Sequence, residues 1–333
     1  MKILSNQYLS DYTTIRLGSK VRWFLEVENT ADFVEAIAFC ATNKIPFFVL
    51  AGGSNTVFDD NTNVRQAVIH TINWNKSKII DDFGAEGNSS QYIYLECDPG
   101  VSLQSIVDFA MDNELVGVTG LNRIPGTLGG AVVGNAGAYG CEINQSVECV
   151  ETIRISEINN SQKPKFYILK NQDCQFGYRD TLFKKDLDIM ITKIVLKLKK
   201  TTNFAPEKEK YNTIAKARDA IYPVGLASPG SLFKNLLYST LTTEAKELVP
   251  KEWVMYGDKL PVGKLLESLN IKGYRIGNIT QRPTHANIMI NLGGGKAVQA
   301  HQIVKDLQVK IWDKYKIKIE PEVRFIPKNF GDF

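Results

Sequence analysis

The longest glycine-rich stretch of the chain reads Gly120-Leu121-Asn122-Arg123-Ile124-Pro125-Gly126-Thr127-Leu128-Gly129-Gly130-Ala131 and resumes as Asn135-Ala136-Gly137-Ala138-Tyr139-Gly140. Residues 120–140 contain seven glycines, one proline and almost no charge. Glycine has no side chain and permits a positive φ, so a flat ligand can approach the main chain closely. Packed turns are the alternative, but they seldom need so many glycines together. The stretch therefore predicts a segment that lines a ligand site.

Two common nucleotide-binding motifs do not account for this stretch. It lacks the strand–turn–helix context of a G-x-G-x-x-G dinucleotide fingerprint, and no lysine follows a glycine as a P-loop requires. A shorter turn, Gly52-Gly53-Ser54-Asn55, directly follows a predicted buried strand. Its glycines and polar side chains suit either an anion cradle or an ordinary tight turn, and both interpretations stay open.

Composition excludes several classes of protein. The 333 residues are 44% hydrophobic and 23% charged, which predicts about two globular domains rather than a disordered chain. A net charge of +4 does not indicate a nucleic-acid binder. The five cysteines contain no Cys-x-x-Cys pair, so we expect neither a disulfide framework nor a metal site. No apolar run approaches the ~20 residues of a membrane span, and we expect a cytoplasmic protein.

Hydrophobic periodicity predicts alternating strands and helices. Residues 59–91 are polar, and we expect loops with short strands there. The polar residues 199–203 are the best candidate for a domain boundary. Strands are predicted over 21–27, 45–50, 92–97, 166–169, 189–198 and 317–325, and helices over 30–43, 103–113, 207–218, 260–269 and 298–316.

Three further motifs are ambiguous when each is taken alone. Arg179, in Gly177-Tyr178-Arg179-Asp180, is most simply a member of a surface ion pair. Ser231 follows a glycine and is a candidate nucleophile, acid or cap, and none of the three histidines stands in a catalytic signature. Glu322 and Arg324 would share one face of a late strand, or would belong to a solvated edge strand.

In order along the chain, these motifs resemble the MurB family, the UDP-N-acetylenolpyruvoylglucosamine reductases, from about residue 12 to residue 326. The resemblance implies an α+β protein with a vanillyl-alcohol-oxidase-like (PCMH-type) FAD-binding domain of two α+β subdomains. This domain would span residues 1–201, with its subdomains split near 60–90. A C-terminal α/β substrate-binding domain would span residues 202–333.

The resemblance also implies a reaction. The family reduces the enolpyruvyl group of a UDP-N-acetylglucosamine ether to UDP-N-acetylmuramate for peptidoglycan synthesis, with non-covalent FAD and with NADPH as co-substrate. Hydride would pass from NADPH to the flavin and then to the enolpyruvyl methylene carbon. We expect a UDP-sugar as the partner, with no nucleic acid, no membrane insertion, and a monomer or weak oligomer.

Residue roles follow from the same resemblance. Arg179 would stabilise the enolate, Ser231 would deliver the proton to the carbanion, and Glu322 would be protonated or tightly paired beside it. Substrate contacts would come from Tyr178, Arg218, Lys234, Asn235 and Arg324. The FAD-binding residues would be Gly52, Gly53, Ser54, Asn55, Gly120, Ile124, Pro125, Gly126, Thr127, Gly129, Gly130, Asn135, Ala138, Tyr139 and Gly140.

The chain departs from the family pattern at two places. Members commonly carry Arg-x-x-Lys before the loop that contains the serine, here residues 229–235 and called the serine loop, but Ile221 stands at the lysine position after Arg218. Lys216 or Arg324 would have to compensate at the diphosphate. The loop whose tyrosine closes over the uridine in some members is missing, and Tyr211 and Tyr222 are only weak replacements.

Two other functions stay open at this point. One is a different FAD-dependent oxidoreductase of the same fold, and the other is a non-catalytic protein that binds flavin or nucleotide sugar. The presence of Arg179, Ser231 and Glu322 together favours the reductase over both.

Overall fold

The chain forms two compact units. The computed structural model describes residues 1–60, 64–80, 91–158, 164–255 and 257–327. The first unit comprises residues 1–7, 21–52 and 65–222, and the second comprises residues 8–20, 53–64 and 223–333. Two separate segments from the N-terminal quarter of the chain therefore belong to the same unit as its C-terminal third.

Helices and strands alternate along much of the chain, as the periodicity predicts. The α-helices are α1 (Thr30–Thr42), α2 (Leu103–Asp112), α3 (Leu128–Gly134), α4 (Leu182–Lys185), α5 (Ala205–Ile221), α6 (Thr243–Leu248), α7 (Val262–Glu267) and α8 (Ala297–Tyr315). The strands are β1 (Lys2–Leu4), β2 (Gln7–Tyr8), β3 (Lys20–Glu26), β4 (Phe47–Leu50), β5 (Thr56–Phe58), β6 (Val64–His70), β7 (Ser77–Ile80), β8 (Tyr92–Cys97), β9 (Leu115–Val116), β10 (Gly137–Ala138), β11 (Cys141–Glu142), β12 (Val147–Arg154), β13 (Tyr167–Lys170), β14 (Ile189–Lys200), β15 (Leu236–Leu237), β16 (Lys259–Leu260), β17 (Arg275–Ile276), β18 (Ile279–Arg282), β19 (His285–Asn291) and β20 (Arg324–Ile326).

The first unit contains two sheets with separate cores. One sheet has the strand order β1-β3-β6-β4, and β4 runs parallel to β6. Helix α1 begins where the side chain of Asn29 accepts a hydrogen bond from the Asp32 N–H, and its Phe33 and Ile37 pack around Trp74 in this core. The second sheet has the order β13-β12-β14-β8-β7 and is antiparallel throughout.

The glycine-rich stretch packs onto the core of this second sheet. Leu121 and Leu128 are fully buried and belong to the same apolar cluster as Ile106 of α2 and Ile194 of β14. The stretch is thus part of a core on one side. This packing fixes the path of its main chain.

The second unit has its own core around α8. Ile303, Leu307 and Ile311 of α8 are fully buried and cluster with Phe233 and Leu265. Strands β17, β18 and β19 form an antiparallel meander, and β20 pairs in parallel with β5. The second unit therefore joins β5, near residue 57, to the C-terminal strand.

The region 59–91 contains strands, as predicted: β6, whose Ala67, Val68 and Ile69 are fully buried, and β7. Residues 81–90 of that region lie outside the described residues. The predicted strand over 317–325 is reduced to β20, since Pro321 has no N–H for a ladder and forms only an isolated bridge with Phe233.

The compact units also divide at a different place from the predicted boundary. Helix α5 lies in the first unit, where Asn122 Nδ2 donates to the Tyr211 carbonyl at 2.9 Å. The C-terminal part of the second unit therefore begins at residue 223, and residues 8–20 and 53–64 also belong to it. The assignment of residues 1–201 and 202–333 to two functional domains stays a prediction. No helix among the described residues is long and apolar enough to cross a membrane.

Candidate active site

Gly52, the first residue of the short turn, lies against the glycine-rich stretch within the first unit. A Cβ added to Gly52 would lie 2.9 Å from the Cα of Gly126, so a side chain at residue 52 would force the two main-chain segments apart. The Gly126 carbonyl accepts from the Leu103 N–H at 3.1 Å, which fixes this turn on the start of α2. Among the described residues, the N–H groups of Gly126 and Thr127 make no hydrogen bond. Both donors are therefore available to a ligand.

The glycines of the long stretch serve two different purposes. Gly120 and Gly129 are needed for internal packing, because an added Cβ would overlap Cys141 in the first case and lie 2.8 Å from Pro99 in the second. Gly130 and Gly140 are exposed, and an added Cβ would meet only Thr127 Oγ1 at 3.6 Å in the first case and nothing in the second. The exposed pair suits a ligand surface better than the packed pair.

Several predicted FAD residues lie around this exposed edge. Pro125 and Tyr139 are exposed, whereas Ile124 and Ala138 are half-buried. Tyr139 adopts a positive φ of 50° and leaves 47% of its surface accessible. An exposed aromatic ring in a left-handed conformation is unusual, which points to a binding role rather than a packing role.

Asn135 supports the site through the hydrogen bonds of its buried side chain. It is fully buried at φ 41°, and its Nδ2 donates to Glu142 Oε2 and to the Gly177 carbonyl, both at 2.9 Å. Asparagine tolerates this left-handed conformation better than most residues. Its side chain thus ties the glycine-rich stretch to the turn that carries Arg179, and its predicted contact with FAD stays a prediction.

Arg179 is held by main-chain oxygens of the glycine-rich stretch. Its Nη1 donates to the Asn135 carbonyl at 3.2 Å, and its Nη2 donates to the Gly137 carbonyl at 2.5 Å. The Tyr178 ring centre lies 5.3 Å from the guanidinium carbon, within cation–π range. Asp180 forms its ion pair with Lys185 at 3.1 Å. The guanidinium is therefore held in a fixed position, as electrostatic stabilisation of a developing charge requires.

Helix α5 carries the remaining candidates of the first unit. Arg218 Nε donates to the Arg123 carbonyl at 3.0 Å, and partial burial lowers the pKa of its guanidinium, which stays cationic. The Tyr211 hydroxyl donates to Asp108 Oδ1 at 3.0 Å. Because Tyr211 is tied to α2, it is a structural tyrosine rather than a closing one. Lys216 is exposed, and Ile221 is half-buried at the end of the helix.

The serine loop of the second unit lies between two other segments. The Leu232 N–H donates to the Asn287 carbonyl, and the Leu232 carbonyl accepts from the Glu322 N–H, both at 2.8 Å. Ser231 itself forms a bridge with Ile288 of β19. Ser231 and Glu322, which are 91 positions apart in sequence, are thus brought to neighbouring main-chain positions.

The Ser231 hydroxyl is available for chemistry. The residue is half-buried, and within the part of the chain that the structure describes its Oγ makes no hydrogen bond. A capping serine would accept from a main-chain N–H, so the alternative of a helix or turn cap is wrong. A partly buried hydroxyl without a partner suits a proton donor.

Asn55 is hydrogen-bonded to the segment that carries Glu322. Its Nδ2 donates to the Glu322 carbonyl at 3.0 Å, and its own carbonyl accepts from the Arg324 N–H at 3.0 Å. Within the second unit, Asn55 is therefore hydrogen-bonded to the main chain of the candidate catalytic glutamate and to that of Arg324. Gly53 in the same turn has φ 58°, and a Cβ there would overlap the Tyr12 carbonyl oxygen, so only glycine fits. Ser54 is half-buried, and roles for these residues toward FAD stay predictions.

The other substrate candidates of the second unit are distributed around the serine loop. Lys234 Nζ lies 3.2 Å from Glu320 Oε2, in an ion pair whose glutamate is exposed. Asn235 Oδ1 accepts from the Val262 N–H at 3.1 Å and so supports the start of α7. The Arg324 side chain is exposed. Among the described residues, no group of His, Cys, Asp or Glu side chains could hold a metal ion.

Sequence reasoning missed Asn287. This residue is buried on β19, and its side chain binds both main-chain polar groups of Phe233, at 2.9 Å each. The available signal was an asparagine within the otherwise apolar run of residues 286–290, because a buried amide needs hydrogen-bond partners.

Comparison with known proteins identifies the family. Residues 21–156 match the family model of an FAD binding domain, and residues 222–326 match that of the UDP-N-acetylenolpyruvoylglucosamine reductase C-terminal domain. A UDP-N-acetylenolpyruvoylglucosamine reductase from Solibacter usitatus is 30% identical, and the alignment covers 96% of this chain and 95% of that one. The chain belongs to the UDP-N-acetylenolpyruvoylglucosamine reductase (MurB) family. The resemblance found in the sequence motifs is confirmed.

Other MurB relatives agree with this assignment. The reductase from Thermotoga maritima is 30% identical over 95% of both chains. The crystal structure of MurB from Thermus caldophilus superimposes with a TM-score of 0.69 and covers 98% of this chain and all of that one, at 24% identity. The predicted fold class, an FAD-binding domain followed by a MurB C-terminal domain, is confirmed.

Proposed function

We propose that this chain is an FAD-dependent, NADPH-oxidising reductase that converts the enolpyruvyl ether of UDP-N-acetylglucosamine into UDP-N-acetylmuramate. The product would serve peptidoglycan synthesis in the cytoplasm, and hence cell-wall growth, shape and division. The observation that carries the proposal is the Ser231 hydroxyl, which makes no hydrogen bond among the described residues and whose loop is hydrogen-bonded to Glu322 within the segment that matches the MurB C-terminal domain. We expect a monomer or weak oligomer.

The first unit fits a non-covalently bound FAD. The N–H groups of Gly126 and Thr127 make no hydrogen bond within the part of the chain that the structure describes, and Gly130 and Gly140 present main chain without a covering side chain. An exposed Tyr139 lies in the same stretch. When bound, FAD would supply the hydride chemistry that no protein side chain can supply. The residues of the stretch would hold and orient it.

Arg179 suits the stabilisation of an enolate. Hydride addition at the enolpyruvyl methylene carbon leaves negative charge on the adjacent carbon and its carboxylate. A guanidinium stays protonated at all relevant pH values and spreads its charge over a plane. Because Asn135 and Gly137 already fix Arg179, little reorganisation is needed when the charge develops.

Ser231 would complete the reduction by giving its hydroxyl proton to the carbanionic carbon. One hydride and one proton then add across the carbon–carbon double bond, and the serine recovers its proton from solvent. A serine hydroxyl is a weak acid, so this step works only with a strongly basic carbon held close to it. Glu322, joined to the same loop through its N–H, would be neutral or paired so that it does not repel the enolate.

Binding of the UDP portion would use cationic side chains. The candidates are Lys234, Arg324 and Arg218. Tyr178 and Asn235 would contact the sugar or the enolpyruvyl group. The absence of a lysine at Ile221 leaves Lys216 and Arg324 as the proposed substitutes at the diphosphate.

An anaerobic absorption experiment tests this proposal. NADPH should bleach the flavin bands of the purified protein, and the enolpyruvyl nucleotide sugar should restore them. A flavin that is bleached but stays reduced would favour another FAD-dependent oxidoreductase, and a protein that cannot be reconstituted with FAD would refute the proposal. In Ser231→Ala, reduction by NADPH should survive while reoxidation by the sugar collapses. Reoxidation at the wild-type rate would refute the role of Ser231.

A further inference from the structure

We propose that Asn287 is a positioning residue for the proton donor Ser231, an inference that rests on the proposed reductase function. Asn287 lies on β19 and is 4% exposed. It touches neither the Ser231 hydroxyl nor Glu322 through any described hydrogen bond. It acts on the main chain that carries Ser231.

The Asn287 side chain forms the hydrogen bonds to the serine loop that a neighbouring strand would otherwise form. Its Oδ1 accepts from the Phe233 N–H and its Nδ2 donates to the Phe233 carbonyl, both at 2.9 Å. Its own carbonyl accepts from the Leu232 N–H at 2.8 Å. One asparagine thus satisfies three main-chain groups in two consecutive residues of the serine loop. Such a pattern fixes the path of the main chain as a paired strand would.

The other side of the loop is fixed by Glu322. The Glu322 N–H donates to the Leu232 carbonyl at 2.8 Å, so Leu232 is bonded to Asn287 on one side and to Glu322 on the other. Ser231 directly precedes Leu232, whose main chain forms both of these hydrogen bonds. The position of its hydroxyl relative to Glu322 is therefore set through Leu232 and Phe233.

A proton donor of low acidity depends strongly on this placement. Transfer requires a heavy-atom approach of about 2.6–3.2 Å, and a displacement of about 1 Å can lower a rate by about 100-fold. Phe233 is 1% exposed, so loss of the Asn287 amide would leave its N–H and carbonyl without partners in the protein interior. The loop would shift to satisfy them, and Ser231 would move with it.

The test measures the two half-reactions of the FAD-loaded enzyme separately. Asn287→Ala should slow reoxidation of reduced flavin by saturating UDP-N-acetylglucosamine enolpyruvate by about 10- to 100-fold. Reduction of the flavin by NADPH should stay within about twofold of wild type, because Ser231 takes no part in it. Asn287→Asp keeps the volume and the acceptor but loses the donor, and should give an intermediate loss even if the alanine variant fails to fold.

A double mutant distinguishes positioning from general destabilisation. If Asn287 acts through Ser231, Ser231→Ala combined with Asn287→Asp should reoxidise no more slowly than Ser231→Ala alone, within about twofold. Multiplication of the two losses, or wild-type reoxidation in Asn287→Asp, would overturn the proposal.

Asn291→Ala is the matched control. This asparagine lies on the same strand, and among the described residues its side chain makes four hydrogen bonds to main-chain groups of Ile15, Arg16, Gly293 and Gly295, whereas that of Asn287 makes two. It should lower the unfolding temperature while reoxidation stays at the wild-type rate. An equal slowing by Asn291→Ala would show that Asn287 acts only through stability, and would overturn the proposal. If wild-type reduced flavin is not reoxidised by the sugar, the proposed function itself fails first.

Discussion

Replacement of Gly130 by alanine separates the stability of the glycine-rich stretch from its proposed contact with FAD. Gly130 is exposed in the first turn of α3, and an added Cβ would meet only Thr127 Oγ1 at 3.6 Å, an ordinary contact. Gly134 at the end of the same helix would meet nothing within 4 Å. Neither residue has a positive φ, so alanine fits both positions without strain.

The size of the effect on stability follows from helix propensity. Glycine in a helix costs about 0.5–1 kcal/mol relative to alanine. Gly130→Ala and Gly134→Ala should therefore each raise the free energy of unfolding of the FAD-free protein by up to about 1 kcal/mol. In the presence of FAD the two should differ, because only residue 130 belongs to the proposed binding surface. We expect a loss of FAD affinity of tenfold or more in Gly130→Ala, equivalent to at least about 1.4 kcal/mol.

Denaturant titration of the FAD-free proteins and quenching of flavin fluorescence on binding measure these two quantities. Gly134→Ala is the matched control and should bind FAD as the wild type does. Wild-type affinity in Gly130→Ala would refute the proposal that the first turn of α3 contacts the cofactor. A lower stability in both variants would refute the reasoning from added Cβ atoms and helix propensity.

Three further predictions concern single side chains. Arg179→Lys should lower the rate of reoxidation by the sugar by about 100-fold or more, since an ammonium cannot reproduce the guanidinium geometry, while stopped-flow reduction by NADPH is retained. Burial raises the pKa of Asp60, whose carboxylate accepts a hydrogen bond from the Ala297 N–H. The wild type should therefore lose stability relative to Asp60→Asn as the pH rises from about 4 through the folded-state pKa. Urea titrations at several pH values measure this difference in the free energy of unfolding. Tyr211→Phe loses the bond to Asp108 and should cost about 1 kcal/mol of stability in denaturant titrations, with an unchanged KM for the UDP-sugar.

Local patterns predicted the elements that have strong periodicity. Helices α1 and α8 and strand β8 lie within a residue or so of their predicted positions, because each has a clear apolar face or run. The glycine-rich stretch hid α3, since glycine disfavours helices and the packing of Leu128 outweighs this preference. Strands were expected in the region of β6, but its burial was not predicted because it depends on neighbours that are distant in sequence.

The residues of the candidate site were found by their motifs, but their environments were not. The attachment of Leu232 to Glu322 depends on main-chain pairing between segments about 90 residues apart, which no local pattern encodes. The engagement of Asn55 with Glu322 likewise depends on the parallel pairing of β5 with β20. The sequence left Ser231 as a candidate nucleophile, acid or cap, and only the three-dimensional structure shows that its hydroxyl makes no hydrogen bond within the described part of the chain.

Each candidate catalytic residue lies next to main chain that is bonded by an asparagine side chain. Asn135 donates to the Gly177 carbonyl near Arg179, Asn55 donates to the Glu322 carbonyl, and Asn287 binds Phe233 near Ser231. A carboxylate of the same shape could not donate to these carbonyls, and its negative charge would oppose an enolate formed nearby. A lysine could donate but could not accept from the Phe233 N–H. The neutral amide is therefore the side chain that can hold these segments in place and leave the electrostatics of the reaction to Arg179.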